Sequence, residues 1–216
     1  MWVAAFVGMA TKYGEIILGM LYREKNEEGN YVGGPMYYIK KGLHIPWLAT
    51  LCAFFMVTQI IGGNFIQSNT ISGVMKENFG VPYMTTGIVL VLLIFVITLG
   101  GLKRLAHVAQ TLVPSMALIY VAGGLIIILA NITKVPGVFA DIFAGAFGLR
   151  AMAGGAMGSM LIAMQKGVAR GLYSNEAGEG SAPVIHSAAQ VDHPVEQGIT
   201  GVAEVFLDTF VICTIT

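Results

Sequence analysis

The sequence predicts an all-α polytopic membrane protein, and three observations carry that expectation. Hydrophobic residues make up 56% of the 216 residues and charged residues only 11%, with a mean hydropathy of +0.74, whereas a soluble domain carries about twice that share of charge. Apolar runs of roughly 19 residues recur along the whole chain, each long enough for a helix to cross a bilayer core. Lipid offers the backbone no hydrogen-bonding partner, so such runs must be helical. The formal net charge is zero and no basic block occurs; a nucleic-acid partner therefore has no electrostatic footprint. Cys52 and Cys213 both lie in apolar runs, where a thiol acts as a small hydrophobe and a disulfide is not expected.

In chain order, the first predicted span is 2–22. No basic residue precedes its apolar core and it carries Lys12 and Glu15 inside, so it reads as a working helix and not as a secretory signal. Lys12 lies three residues before Glu15, and an ion pair on one helix face accounts for both. A polar hairpin follows at Arg23 to Asn30, then a Gly33-Gly34-Pro35 turn. The amphipathic Met36 to Lys41 is next, either a helix lying on the membrane surface or a plain linker. Further spans are predicted at 47–75, 83–101, 106–130, 150–172 and 198–216, with a short segment around Val135 to Phe147. This gives six spans in a single transmembrane domain over 1–216. Arg23, Lys25, Lys40, Lys41, Lys103 and Arg104 fall in loops on one side, against Lys76, Lys134 and Arg150 on the other. The richer side is expected to be cytoplasmic, so the first span runs from outside to inside, a start that suggests a further segment ahead of Met1.

The most informative stretch is Gly171 to Pro183, Gly-Leu-Tyr-Ser-Asn-Glu-Ala-Gly-Glu-Gly-Ser-Ala-Pro. It sets two carboxylates and a run of small residues directly after an apolar helix. Glycine permits non-helical angles and close approach, while Ser174, Asn175 and Ser181 can bond the amides and carbonyls that a break exposes. Substrate and ion sites at membrane depth are built from interrupted helix of this kind; the alternative is a plain helix end at the cytoplasmic surface. Asn64 and Gln67 sit three apart, on one helix face, where they either line a cavity or make helix-to-helix hydrogen bonds. Glu15, Glu204 and Asp208 are acids in apolar surroundings, where an unpaired charge is expensive. Asp208 has no basic neighbour in its own helix and is the better candidate for an ion or proton role. His186, Asp192 and His193 lack the spacing of a metal site and read as loop caps.

Gly8-Met-Ala-Thr-Lys-Tyr-Gly-Glu15 aligns without a gap on Gly201-Val-Ala-Glu-Val-Phe-Leu-Asp208, with glycine, alanine, aromatic and carboxylate at the same offsets. By the loop charges the two copies run in opposite directions. Inverted-repeat transporters show such weak internal symmetry, although small residues with an occasional acid are also common in packed transmembrane helices.

The segment Gly167 to Pro183, with His186 and the turn Asp192 to Gly198, resembles the sodium:alanine symporter family. So do Tyr31 to Ile39, Gly63 to Asn69 and Phe206 to Thr214. The resemblance implies a sodium-coupled carrier (symporter) of small neutral amino acids such as alanine or glycine, in the cell membrane of a bacterium or archaeon. It implies the amino acid-polyamine-cation type of fold, five plus five inverted helices, of which this chain resembles helices two to seven. No cofactor is implied beyond the coupling ion, sodium, with a proton as the alternative. The implied substrate residues are Gln67, Asn64, Tyr173, Ser174, Asn175 and Gly178, and the implied ion residues Asp208, Ser181 and Thr209. The glycine-rich helix that precedes Met1-Trp-Val in the family pattern is absent, which suggests an incomplete carrier. Glu179 stands where an apolar residue, often methionine, is expected, and Tyr173 where phenylalanine is commoner. An intramembrane enzyme is disfavoured because no nucleophile-and-base pattern stands out. A non-transporting structural or interaction subunit also suits the composition, but it does not require glycine-rich polar breaks.

Overall fold

The computed structural model describes residues 1–146 and 156–216. The first six residues of the predicted span 150–172, and Phe147 at the end of the preceding segment, lie outside the described residues. The chain divides into two compact units, Met1–Met56 with Gly124–Thr216, and Val57–Gly123. Among the described residues, four helices are long and apolar enough to cross a membrane: Trp2–Leu21, Pro46–Phe79, Arg104–Ala130 and Pro194–Ile215. The protein is thus a helical, multi-pass membrane protein.

In the first unit, helix α1 (Trp2–Leu21) leads into a two-stranded antiparallel hairpin, β1 (Glu24–Lys25) and β2 (Tyr31–Val32), and then into the short helix α2 (Pro35–Gly42). Asn26 makes the hairpin turn by accepting from the amides of Glu28 and Asn30, the local side-chain bonding that favours asparagine in turns. Helix α3 (Pro46–Phe79) starts here. The unit resumes at the end of α5, continues through α6 (Val135–Ala146) and α7 (Ala156–Asn175), and closes with α8 (Ser181–His186) and α9 (Pro194–Phe206). Beyond α9 the helix widens into a π-helical turn, Leu207–Ile212, before a last α-helical turn at Cys213–Ile215.

Helix α1 buries Ala5, Gly8, Lys12, Ile16, Gly19 and Met20, a stripe at three- and four-residue spacing. That stripe packs on α9, α8 and α7. Trp2 meets Thr214, Phe6 meets Phe210, Lys12 meets Glu204 and Tyr13 meets Gly198; rising numbers on α1 match falling numbers on α9, so the two helices are antiparallel. Gly201 lies against Ile16, and a Cβ at Gly19 would come within 2.7 Å of the Pro183 ring. Small residues let helix backbones approach, as membrane packing requires. At the other end of the contact, Phe210 stacks on Phe206 and Trp2 and takes Phe6 edge-on. Arg23 fastens the hairpin, donating to the carbonyls of Ser187 and Ala189 at 3.1 and 2.6 Å with its guanidinium over the Tyr31 ring.

The second unit holds the rest of α3, helix α4 (Tyr83–Thr98) and most of α5 (Gly101–Ala130), with Pro114 inside α5. Its long apolar side chains, among them Val91, Leu118 and Ile119, are exposed, as lipid-facing residues are. Helix α4, with 16 residues, reaches roughly 24 Å.

Candidate functional site: the break after helix α7

Helix α7 ends at Asn175, and in the next five residues the backbone turns left-handed three times, at Glu176 (φ 51°), Gly178 (φ 86°) and Gly180 (φ 83°). Glycine adopts such angles without a Cβ clash. Glu176 does so at a cost on the order of 1–2 kcal/mol, and its carboxylate is held by the Ser181 hydroxyl at 2.7 Å. Gly180 then starts α8. The sequence expectation of a break here is thus met by an irregular turn between two helices.

Helix α1, helix α9 and the π-helical turn beyond α9 hold this turn. The Gly178 amide donates to Glu15 Oε2 at 3.0 Å. The Lys12 ammonium donates to the Asn175 carbonyl at 3.0 Å and pairs with Glu204 Oε2 at 3.0 Å. The Thr209 hydroxyl donates to Asn175 Oδ1 at 2.7 Å, and the Ser174 hydroxyl to Asp208 Oδ2 at 2.5 Å. The π-helical turn bears Asp208 and Thr209 on consecutive positions, and they reach consecutive residues of α7. The Thr214 hydroxyl donates to the Thr209 carbonyl at 3.2 Å. Lys12, Asn175 and Thr209 are all buried, and a polar group in that position must be paired.

A second chain of contacts leads outward from Glu204. His186 Nε2 lies 3.3 Å from Glu204 Oε2, and Gln197 Nε2 lies 2.6 Å from His186 Nδ1. His186 thus bridges Glu204 and Gln197. His193 caps α9, its Nδ1 accepting from the Val195 amide. Glu179 is partly buried, and burial, followed by the charges of Glu176 and Glu15, raises its carboxyl above the usual range. Burial, and then the Glu15 charge, pushes the Tyr38 hydroxyl up to about 12.

Ser174, Asn175, Gly178, Ser181, Asp208 and Thr209, all named from the sequence, come together at the break. Tyr173, next to it, is 38% exposed. Asn64 and Gln67 lie in the second unit, both exposed on α3, and the Asn64 amide donates to the Ile60 carbonyl of its own helix. The expected Lys12–Glu15 pair needs correction. Lys12 takes the Asn175 carbonyl and Glu204, while Glu15 takes the Gly178 amide, because the turn after α7 lies against this face of α1 and offers each charge a backbone group of opposite polarity. Asp208, expected to lack a basic neighbour in its own helix, accepts from the Ser174 hydroxyl of α7. Sequence reasoning also missed the joint role of Lys12 and Glu204; the available signal was the aligned octapeptide, whose carboxylates, Glu15 and Asp208, both serve the break.

A family model for the sodium:alanine symporter family matches residues 1–216. Over its whole length the chain is 47% identical to an uncharacterized transporter of Haemophilus influenzae, of which it covers 48%. It is 42% identical to the sodium/alanine symporter AgcS of Methanococcus maripaludis, covering 48% of that protein. It is 41% identical to the probable sodium/glutamine symporter GlnT of Bacillus subtilis, covering 45%. The chain spans about half the length of the curated relatives it matches. With the family matched from the first residue to the last and with helices that cross a membrane, the chain belongs to the sodium:alanine symporter family, whose members are transporters and not enzymes.

Proposed function

We propose that the chain forms part of a sodium-coupled carrier of a small neutral amino acid, alanine or glycine, in the cell membrane. The observation that carries this reading is the break after α7, where backbone groups freed from helix are gathered with carboxylates from α1 and α9 and with the Asp208 carboxylate and Thr209 hydroxyl of the π-helical turn. Such a place suits a zwitterion and a monovalent cation, since main-chain amides bind a carboxylate and carbonyls and carboxylates bind cations. In this reading Ser174, Asn175 and Gly178 meet the amino acid, with Tyr173 beside it, and Asp208, Ser181 and Thr209 serve the sodium ion; the substrate role of Gln67 and Asn64 rests on the family resemblance alone. The antiparallel contact of α1 with α9 supports the aligned octapeptides as equivalent parts of two inverted repeats in a five-plus-five fold.

The test is uptake of radiolabelled alanine, glycine and glutamine into vesicles bearing the product of the complete open reading frame that encodes this chain. An inward sodium gradient should drive accumulation of alanine or glycine, and choline in place of sodium should abolish it. Accumulation that follows a pH gradient without sodium would assign the coupling to protons. Preference for glutamine would overturn the assignment of a small substrate.

A further inference from the structure

Lys12 is the one fully buried charged side chain among the described residues, at 2% exposure. Its two contacts differ in kind. Glu204, the ion-pair partner, is half exposed and is shared with His186. The Asn175 carbonyl is the last backbone acceptor of α7 before the left-handed turn. A helix end leaves its final carbonyls without partners and carries partial negative charge, so a cation is stabilising there. One turn further along α1, Glu15 takes the Gly178 amide on the far side of the turn. A single helix face thus offers a positive group to the carbonyl before the break and a negative group to the amide after it. Opposite charges meet opposite backbone dipoles.

We propose that Lys12 is the positioning residue of the break: its ammonium fixes the Asn175 carbonyl, and with it the register in which Ser174 and Asn175 are presented to the amino acid. This rests on the transport reading above. The competing account is that Lys12 and Glu204 merely fasten α1 to α9 as an ion pair. The two accounts separate in the double variant Lys12→Met/Glu204→Gln, which leaves no uncompensated buried charge. Removing both charges leaves no buried ammonium without its counter-ion, and Glu204 is half exposed, so a pair that merely fastens should be dispensable, whereas the carbonyl at the break still loses its donor.

Two measurements test the proposal. Hydrogen exchange is followed by mass spectrometry on the chain in lipid nanodiscs, as wild type, Lys12→Met, the double variant and Lys12→Arg. In the double variant, exchange over residues 174–181 should rise by about tenfold, the loss associated with one hydrogen bond to a charged group, while α1 and α9 keep their protection. Lys12→Arg, which retains a charged donor, should recover part of that protection. In the complete reading frame the double variant should raise KM for alanine by about tenfold, at unchanged maximal rate per inserted carrier. Unchanged exchange over 174–181 would overturn the proposal. Loss of protection throughout α1 and α9 would also overturn it, because Lys12 would then hold the fold and not the break. If the wild-type reading frame shows no sodium-driven uptake, the transport reading fails by itself, and the exchange data alone decide whether Lys12 fixes the turn.

Discussion

In the second unit, Asn64, Thr70, Asn78, Thr98, Thr111 and Ser115 each donate to a carbonyl one turn earlier on their own helix. Around Asn175 the bonds cross between helices: Ser174 to Asp208, Thr209 to Asn175, Lys12 to Asn175 and Glu204, and the Gly178 amide to Glu15. A bond returned to its own helix needs no neighbour and survives any movement of that helix. A bond across exists in one arrangement only, and loses its value when that arrangement changes. Polarity is made tolerable to lipid in the second unit. Around the break in the first, it specifies geometry.

Five substitutions probe that difference, and the largest effect is expected at the turn itself. Gly178→Val places a β-branched residue at φ 86°, a strain on the order of 1–3 kcal/mol. Sodium-driven uptake by the complete reading frame should disappear although the protein still inserts and elutes as a single species; normal uptake would show that the turn carries no substrate. Thr209→Val keeps the shape but leaves buried Asn175 Oδ1 without its donor, a cost of about 1–3 kcal/mol. The same change at Thr98, which bonds only within α4, should stay within about 0.5 kcal/mol. Thermal unfolding in detergent compares the two, and equal shifts would erase the distinction between the units. Gln67→Ala should weaken alanine binding roughly tenfold by removing one hydrogen-bonding partner of the substrate, with the unfolding temperature unchanged; wild-type affinity in a binding isotherm would return Gln67 to helix packing.

The smallest effect is expected at Glu179. Its carboxyl is raised in the folded state, so the folded protein keeps that proton to higher pH than the unfolded chain does. Stability from this group is therefore undiminished below the unfolded value near 4.5 and declines as pH climbs from there through the raised folded value. Glu179→Met should remove the decline and leave substrate binding intact. Unfolding temperatures over roughly pH 4 to 7 check this, and identical slopes for wild type and variant would put Glu179 in water.

The helical, membrane-crossing character was legible because lipid imposes it on any long apolar run, and the break was legible because Gly178 and Gly180 follow a helix with hydroxyl and amide residues at its end. The partners of Lys12 were not. Spacing along a helix reports neighbours three or four residues away, and Glu15 is such a neighbour, whereas Glu204 and the Asn175 carbonyl are brought to Lys12 by the packing of α1 on α9 and on α7. Nor did residue types announce the π-helical turn. Leu207 to Ile212 reads as ordinary apolar helix, and its wider register is expressed through contacts such as Thr214 to Thr209 and Asp208 to Ser174. Asn64 and Gln67 share a face as their spacing requires, but spacing carries no information about what that face meets.

The π-helical turn also makes this part of the chain count its residues. Each residue added to or removed from an α-helix turns everything beyond it by roughly 100°. Between Phe206 and Cys213 one such offset is already absorbed, and it sets the angle at which Trp2 finds Thr214 and Phe6 finds Phe210 on one side while Thr209 finds Asn175 on the other. Substitutions in this stretch alter one contact at a time. A single-residue insertion or deletion would shift all of them together, so length is held here more tightly than identity, and homologues should vary in residue type within 207–212 long before they vary in the number of residues.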